Sequence, residues 1–165
     1  MAENSLKNKY YLKNTASGTF QDVATLFNGV RILSVDGMNA KGKTKNVYTE
    51  DWEYNQAEDF DIVMQDSTDT KAIIRENVDI NVTFAVRQKY VTGNTTIDVR
   101  NVHDTFVNYM TNTDVWVKSL YTNLNVHCVC LNDYKPTMMK LKRGNNSFAM
   151  GTITLHCLDK PSVNT

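Results

Sequence analysis

Apolar and polar side chains alternate most cleanly from Val78 to Arg87, where Val78, Ile80, Val82, Phe84 and Val86 fall on one face. A period of two sets these five on one side of an extended chain, which predicts an antiparallel strand with one buried and one wet face. Val30-Arg31-Ile32-Leu33-Ser34-Val35 is β-branched and apolar and stops at Asp36-Gly37, a dipeptide suited to a turn with positive φ. Val115 to Leu120 is strand-like, Leu124, Val126, Cys128 and Cys130 alternate along a following strand, and Phe148 to Leu158 closes the pattern with Ile153, Leu155 and Cys157 on one side.

The period changes once. Asp98 is placed to cap a helix whose apolar positions Val99, Val102, Phe106, Tyr109 and Met110 recur at helical spacing, with Asn112 as its stop and His103 on its polar side. Between the last two strands lie Asn132-Asp133-Tyr134-Lys135-Pro136 and Lys140-Leu141-Lys142-Arg143-Gly144-Asn145-Asn146, so these strands are expected to form a hairpin with a long basic excursion. The polar stretch through about Gly18, with Tyr10-Tyr11-Leu12 inside it, reads as an arm or an irregular first strand. Asn39 to Thr44 has loop composition, and the sequence carrying Val47, Tyr48, Trp52 and Tyr54 reads as a long hairpin or loop. The expected fold is mainly β (α+β): a β-sandwich or barrel-like pair of antiparallel sheets with one flanking α-helix and long hairpin loops. With two prolines, seven glycines and no repeat or low-complexity linker, residues 1–165 are expected to form one domain with a polar arm at about 1–18.

Composition narrows the function classes. Lys plus Arg and Asp plus Glu number 18 each, so no global positive field exists to gather nucleic acid or an anionic membrane. No apolar run approaches the roughly 20 residues that span a bilayer. The polar start Met1-Ala2-Glu3-Asn4-Ser5-Leu6-Lys7 lacks the apolar stretch of a signal peptide, so the expected compartment is a cytosol. Cys128, Cys130 and Cys157 are odd in number and sit in apolar segments, which fits reduced, packed thiols better than a disulfide framework.

Several constellations invite chemistry. His127, Cys128, Cys130, His156 and Cys157 suggest a metal, yet alternation turns His127 away from the sulfurs and the spacing fits no usual zinc knuckle. Ser34 or Cys128 could pair with His103, but no nucleophile-elbow pattern occurs. Glu58, Asp59 and Asp61 lack the glycine and terminal glutamate of a calcium loop, and no glycine-rich phosphate cradle is present. The expectation is therefore no catalytic residues, no cofactor, no metal and no small-molecule substrate.

Charge distribution says more than charge total. Glu50, Asp51, Glu53, Glu58, Asp59, Asp61, Asp66 and Asp69 occupy residues 50–69 without a basic residue, while Lys135, Lys140, Lys142 and Arg143 form an opposite block. Such blocks are either solvated loops or complementary faces of one subunit that meet head to tail. Trp52 and Tyr54 inside the acidic block favour a contact, because aromatics are enriched at contact centres. The candidate subunit interface is thus Trp52, Tyr54, Glu58, Asp59, Asp61, Lys135, Lys140, Lys142 and Arg143.

The order of elements carries a resemblance: the strand Val78 to Arg87, a short link, the helix Asp98 to Asn112, the strand around Trp116, and a closing hairpin ending Gly151-Thr152-Ile153-Thr154-Leu155-His156-Cys157-Leu158-Asp159-Lys160-Pro161. This resembles the tail tube and distal tail proteins of tailed bacteriophages, over roughly 30–161 in element order and 78–161 in detail. Their opening pair of strands has no clear counterpart in this sequence, nor has the large carboxy-terminal domain that many distal tail proteins carry, so a minimal tube or ring subunit fits better. The resemblance implies a β-sandwich with a flanking helix and a virion structural role in a ring around the DNA channel. It implies itself and neighbouring tail proteins as partners, with passage of DNA without specific binding and no membrane. The implied location is the host cytoplasm during assembly and then the virion tail. Two other readings stay open: a β-sandwich module binding sugar or protein through Tyr48, Trp52 and Tyr54, and a small metal-dependent enzyme using Cys128, Cys130, His156 and Cys157.

Overall fold

The computed structural model describes residues 9–42, 77–141 and 147–165. By contacts the chain divides into two units, one of residues 1–39 with 79–165 and one of Ala40–Val78, the latter lying almost wholly outside the described residues. In the first unit the elements run β1 (Tyr10–Lys13), β2 (Gln21–Asp22), α1 (Val23–Leu26), β3 (Val30–Asp36), β4 (Asp79–Arg87), α2 (Val99–Thr111), β5 (Val115–Ser119), β6 (Leu124–Val129), β7 (Pro136–Lys140), β8 (Phe148–Cys157) and β9 (Ser162–Val163). The architecture is mainly antiparallel β with little helix.

All nine described strands hydrogen-bond into one sheet, in the order β2-β1-β5-β6-β8-β4-β3, with β7 on β8 and β9 on β6. The expected pair of antiparallel sheets takes the form of two wings of one continuous sheet. One wing is β2-β1-β5-β6 and the other β8-β4-β3. They join where β6 meets the end of β8 in two register pairs, Cys128 with Cys157 and Val129 with His156. The reason is strand length: β8 runs ten residues, pairs with β4 from Phe148 to His156, and shares its other edge between β7 and β6.

Alternation decides the faces as expected. Ile80, Val82, Phe84 and Val86 of β4 are fully buried, as are Leu155 and Cys157 of β8, while Val78 lies half-buried just before the strand. The other wing contributes buried Leu12, Val117, Val126 and Cys128. On the wet face of β4 and β8 the cross-strand partners bond each other: Thr83 with Thr152 at 3.1 Å, and Thr154 to Asn81 at 2.8 Å.

Tyr10–Lys13 is a strand, paired with both β2 and β5, where the sequence pattern offers only an arm or an irregular first strand. The signal was weak because a four-residue strand with one fully buried side chain, Leu12, gives alternation little room to show.

Helix α2 starts at Asp98, whose carboxylate accepts from the Arg100 and Asn101 backbone N–H groups, and ends at Asn112. Its buried positions are Val99, His103, Phe106 and Met110, and Phe106 packs on Phe84 with ring centroids 4.6 Å apart. Removing the cap with Asp98→Ala is expected to lower stability by about 1 kcal/mol, read as a shifted urea midpoint at unchanged slope.

Candidate subunit interface

β3 terminates the sheet, and no described strand pairs its outer edge. Gly29 launches it at φ 96°, a conformation that suits glycine, and a Cβ there would come within 2.5 Å of Ile97. The register slips between Ile32 and Ser34, leaving Leu33 in a bulge with 42% of its surface exposed. Beside this edge runs a groove of about 600 Å³ whose walls come from both ends of the sheet, Tyr10 of β1 on one side and Arg31 to Leu33 of β3 on the other. The β2–β1 end of the sheet and β3 therefore lie on opposite sides of the groove. Burial foremost, and also neighbouring Tyr121, raises the pKa of the Tyr10 hydroxyl, against the opposing effect of the Val35 backbone. Tyr10 and Tyr121 have ring centroids 5.6 Å apart, and the Arg31 guanidinium lies 4.2 Å over the Tyr90 ring. Aromatic walls along an unpaired strand can accept an added strand, whose backbone would pair with β3 and whose side chains would meet the rings.

Another open edge is β7, a strand the sequence pattern does not announce. Pro136, Met138, Met139 and Lys140 pair with Gly151, Met150, Ala149 and Phe148, whereas the expected hairpin of β6 directly with β8 is confined to two pairs. Proline, two methionines and lysine neither alternate nor favour strands. The strand forms because the first half of β8 offers an edge that β6 does not take. Four of its five residues are exposed, Met138 at 48%, and its outer edge has no partner among the described strands. Lys135 lies just before this strand and Lys140 ends it, both exposed. Of the other expected interface residues, Trp52, Tyr54, Glu58, Asp59, Asp61, Lys142 and Arg143 lie outside the described residues, as does Tyr48.

His103 is not on a wet side of its helix. It is 3% exposed, and the spacing Val99, His103, Phe106, Met110 shows that it continues the apolar stripe, with Val102 half-buried beside it. Burial is tolerated because both ring nitrogens have partners: Nδ1 meets Asp104 Oδ1 at 2.9 Å and Nε2 meets the Tyr134 hydroxyl at 2.7 Å. Tyr134 in turn lies against Gly151, where any Cβ would collide with its hydroxyl. Burial, with the Asp104 carboxylate adding to it, pushes the Tyr134 pKa up to about 12. A phenol held protonated donates to Nε2, so Nδ1–H faces the carboxylate, and the three groups satisfy one another. The arrangement fastens the β6–β7 connection to α2. Ser34 and Cys128 are not among the partners of His103, and Cys128 faces Cys157 instead.

The remaining histidines are likewise engaged by acids on the outer face. His127 stacks on Trp116 at 4.0 Å between centroids and meets Asp114 at 3.0 Å and Asp159 at 3.5 Å; His156 meets Asp79 at 2.7 Å. The Cys130 thiol turns to the Asn132 carbonyl. Three sulfurs and a histidine therefore do not converge, and among the described residues no group of three or more His, Cys, Asp or Glu side chains is placed to hold a metal ion. No described helix is long and apolar enough to cross a membrane.

No family model, curated protein or solved structure matches this chain. What the geometry itself defines is a β-rich domain whose open sheet edges include two unlike ones, β3 and β7.

Proposed function

We propose that this chain is a structural assembly subunit, joined to copies of itself through its open sheet edges. The observation that carries the reading is the pair of unlike edges, β3 with its aromatic groove and β7 with its exposed face. Unlike patches on one subunit make a head-to-tail contact, and such contacts close into rings or continue as filaments. Long unpaired edges are a hazard in a monomer, and assembly is one way to cover them.

The particular assembly we propose is a ring of a tailed-phage tail, in the tail tube or at its distal end. Support comes from the order β4, α2, β5, β6 and β8 with the closing phrase Gly151 to Pro161, which resembles that family, and from the β1–β2 pair that adds the opening strands. The balanced charge of 18 acids and 18 bases suits a surface that DNA passes without sticking.

Purified protein is expected to sediment as an oligomer and to show rings by electron microscopy. Leu33→Lys in β3 or Met138→Lys in β7 should each shift it to monomer without moving stability by more than a few tenths of a kcal/mol, since both side chains are exposed. Reversing Lys135 and Lys140 to Glu should weaken assembly, and additionally changing Glu58, Asp59 and Asp61 to Lys should restore it if the charged blocks meet. A chain that stays monomeric at all concentrations would reject this reading in favour of a binding module, for which the tyrosine-walled groove would be the site.

A further inference from the structure

The seam between the two wings carries a second kind of chemistry. Cys128 and Cys157 are direct register partners there, and their Sγ atoms lie 3.8 Å apart with both side chains fully buried and no disulfide between them. Next to them the Leu158 N–H donates to the His127 carbonyl at 2.8 Å. In an antiparallel pair this makes 127 and 158 a hydrogen-bonded position, so 128 and 157 occupy the neighbouring non-hydrogen-bonded one, where Cα atoms are about 4.5 Å apart and side chains closest. That spacing falls within the range of about 4.4–6.8 Å that a disulfide accepts. Rotation of the two thiols about their Cα–Cβ bonds can then bring the sulfurs together without slipping the strands.

We propose that Cys128 and Cys157 are a modification site, a reversible disulfide that staples the two wings of the sheet at their two-pair seam. The oxidant is a low-molecular-weight disulfide. The Cys157 thiolate attacks one of its sulfurs and expels a first thiolate; Cys128 then attacks the Cys157 sulfur of the mixed disulfide and expels the second. Two protein thiols give up two electrons and two protons, and the oxidant leaves as two thiols. The order of attack follows from the shared hydrogen bond, in which Cys128 donates its S–H to Cys157. Accepting that bond holds the Cys157 thiol below its ordinary pKa, against the opposing effects of burial and Asp79, whereas donating it, together with burial, pushes Cys128 up. Access comes through local opening of the β6–β8 seam, which only two register pairs and the Leu158–His127 bond hold.

Cys130, half-exposed and two residues along, is the competing thiol. The experiment therefore treats Cys130→Ser protein, and the unchanged chain in parallel, with oxidised glutathione, followed by intact mass, peptide mapping and thermal melting. The expected result is loss of two hydrogen masses, a linked Cys128–Cys157 peptide, and a melting midpoint raised by roughly 10 °C, given about 30 residues in the closed loop of a chain this size. Dithiothreitol should reverse all three changes, and Cys128→Ala should trap a glutathione adduct on Cys157. Two thiols that survive oxidation, a disulfide mapping to Cys130 in the unchanged chain, or a closed bond that leaves the midpoint unmoved or lowers it would each overturn the proposal.

Discussion

Truncating Phe84 to alanine is expected to destabilise the protein by about 3–5 kcal/mol, the range typical of a large aromatic side chain removed from a packed core. Phe84 is fully buried at the crossing of β4 and α2, with its ring 4.6 Å from Phe106, 5.8 Å from His103 and 6.0 Å from Tyr134. Removing it forfeits the transfer free energy of a whole aromatic side chain and leaves a cavity that three rings and two elements cannot fill together. Because marginally stable domains hold only about 5–15 kcal/mol, the variant should unfold at a much lower urea concentration. Equilibrium urea unfolding followed by tryptophan fluorescence measures the change. An unmoved midpoint would mean that Phe84 does not carry this junction.

Replacing Tyr134 with phenylalanine is expected to cost about 1–3 kcal/mol, because His103 stays buried while its Nε2 loses its partner. The ring itself is kept, so its contact with Phe84 survives and the loss isolates the hydroxyl. Removing both members, as in His103→Phe with Tyr134→Phe, should cost less than the sum of the single changes, which a double-mutant cycle reads directly. A pH signature accompanies the lock. Tyr134 titrates near 12 when folded and near 10 when unfolded, so its contribution is complete below about pH 10 and is lost as pH rises through about 12. Tyr10 and Tyr109 are raised in the same direction by burial. Tyr134→Phe should therefore reduce, without abolishing, the loss of stability between about pH 10 and 12, measured as urea midpoints across that window. An equal loss in both proteins would show that Tyr134 is not the group responsible.

Both substitutions bear on the assembly reading. The His103–Tyr134 bond fixes the connection that leads into β7, so loosening it should also weaken whatever β7 contacts. Phe84, by contrast, supports the whole wing, and its loss should disperse oligomers only through unfolding. Sedimentation of the two variants under conditions where each remains folded separates these effects.

Periodicity made the main elements legible in the sequence alone. The face of β4 from Ile80 to Val86, the bounds of α2 from its Asp98 cap to Asn112, and the inward residues of β8 each follow from local rules: a period of two, a period of about 3.6, and a short side chain that satisfies a helix N-terminus. Tertiary structure decided the rest. Whether the strands make one sheet or two depends on which edge of β8 each neighbour takes, and no periodicity in β6 or β8 encodes that choice. β7 exists because an edge was left open, in spite of its own weak propensity. His103 is buried because a tyrosine 31 residues away supplies its partner, and Cys128 faces Cys157 because two strands separated by β7 meet in that register. A side chain's direction is fixed by its own neighbours along the chain, whereas its partner is fixed by chain closure, and only the folded sheet brings those distant segments together.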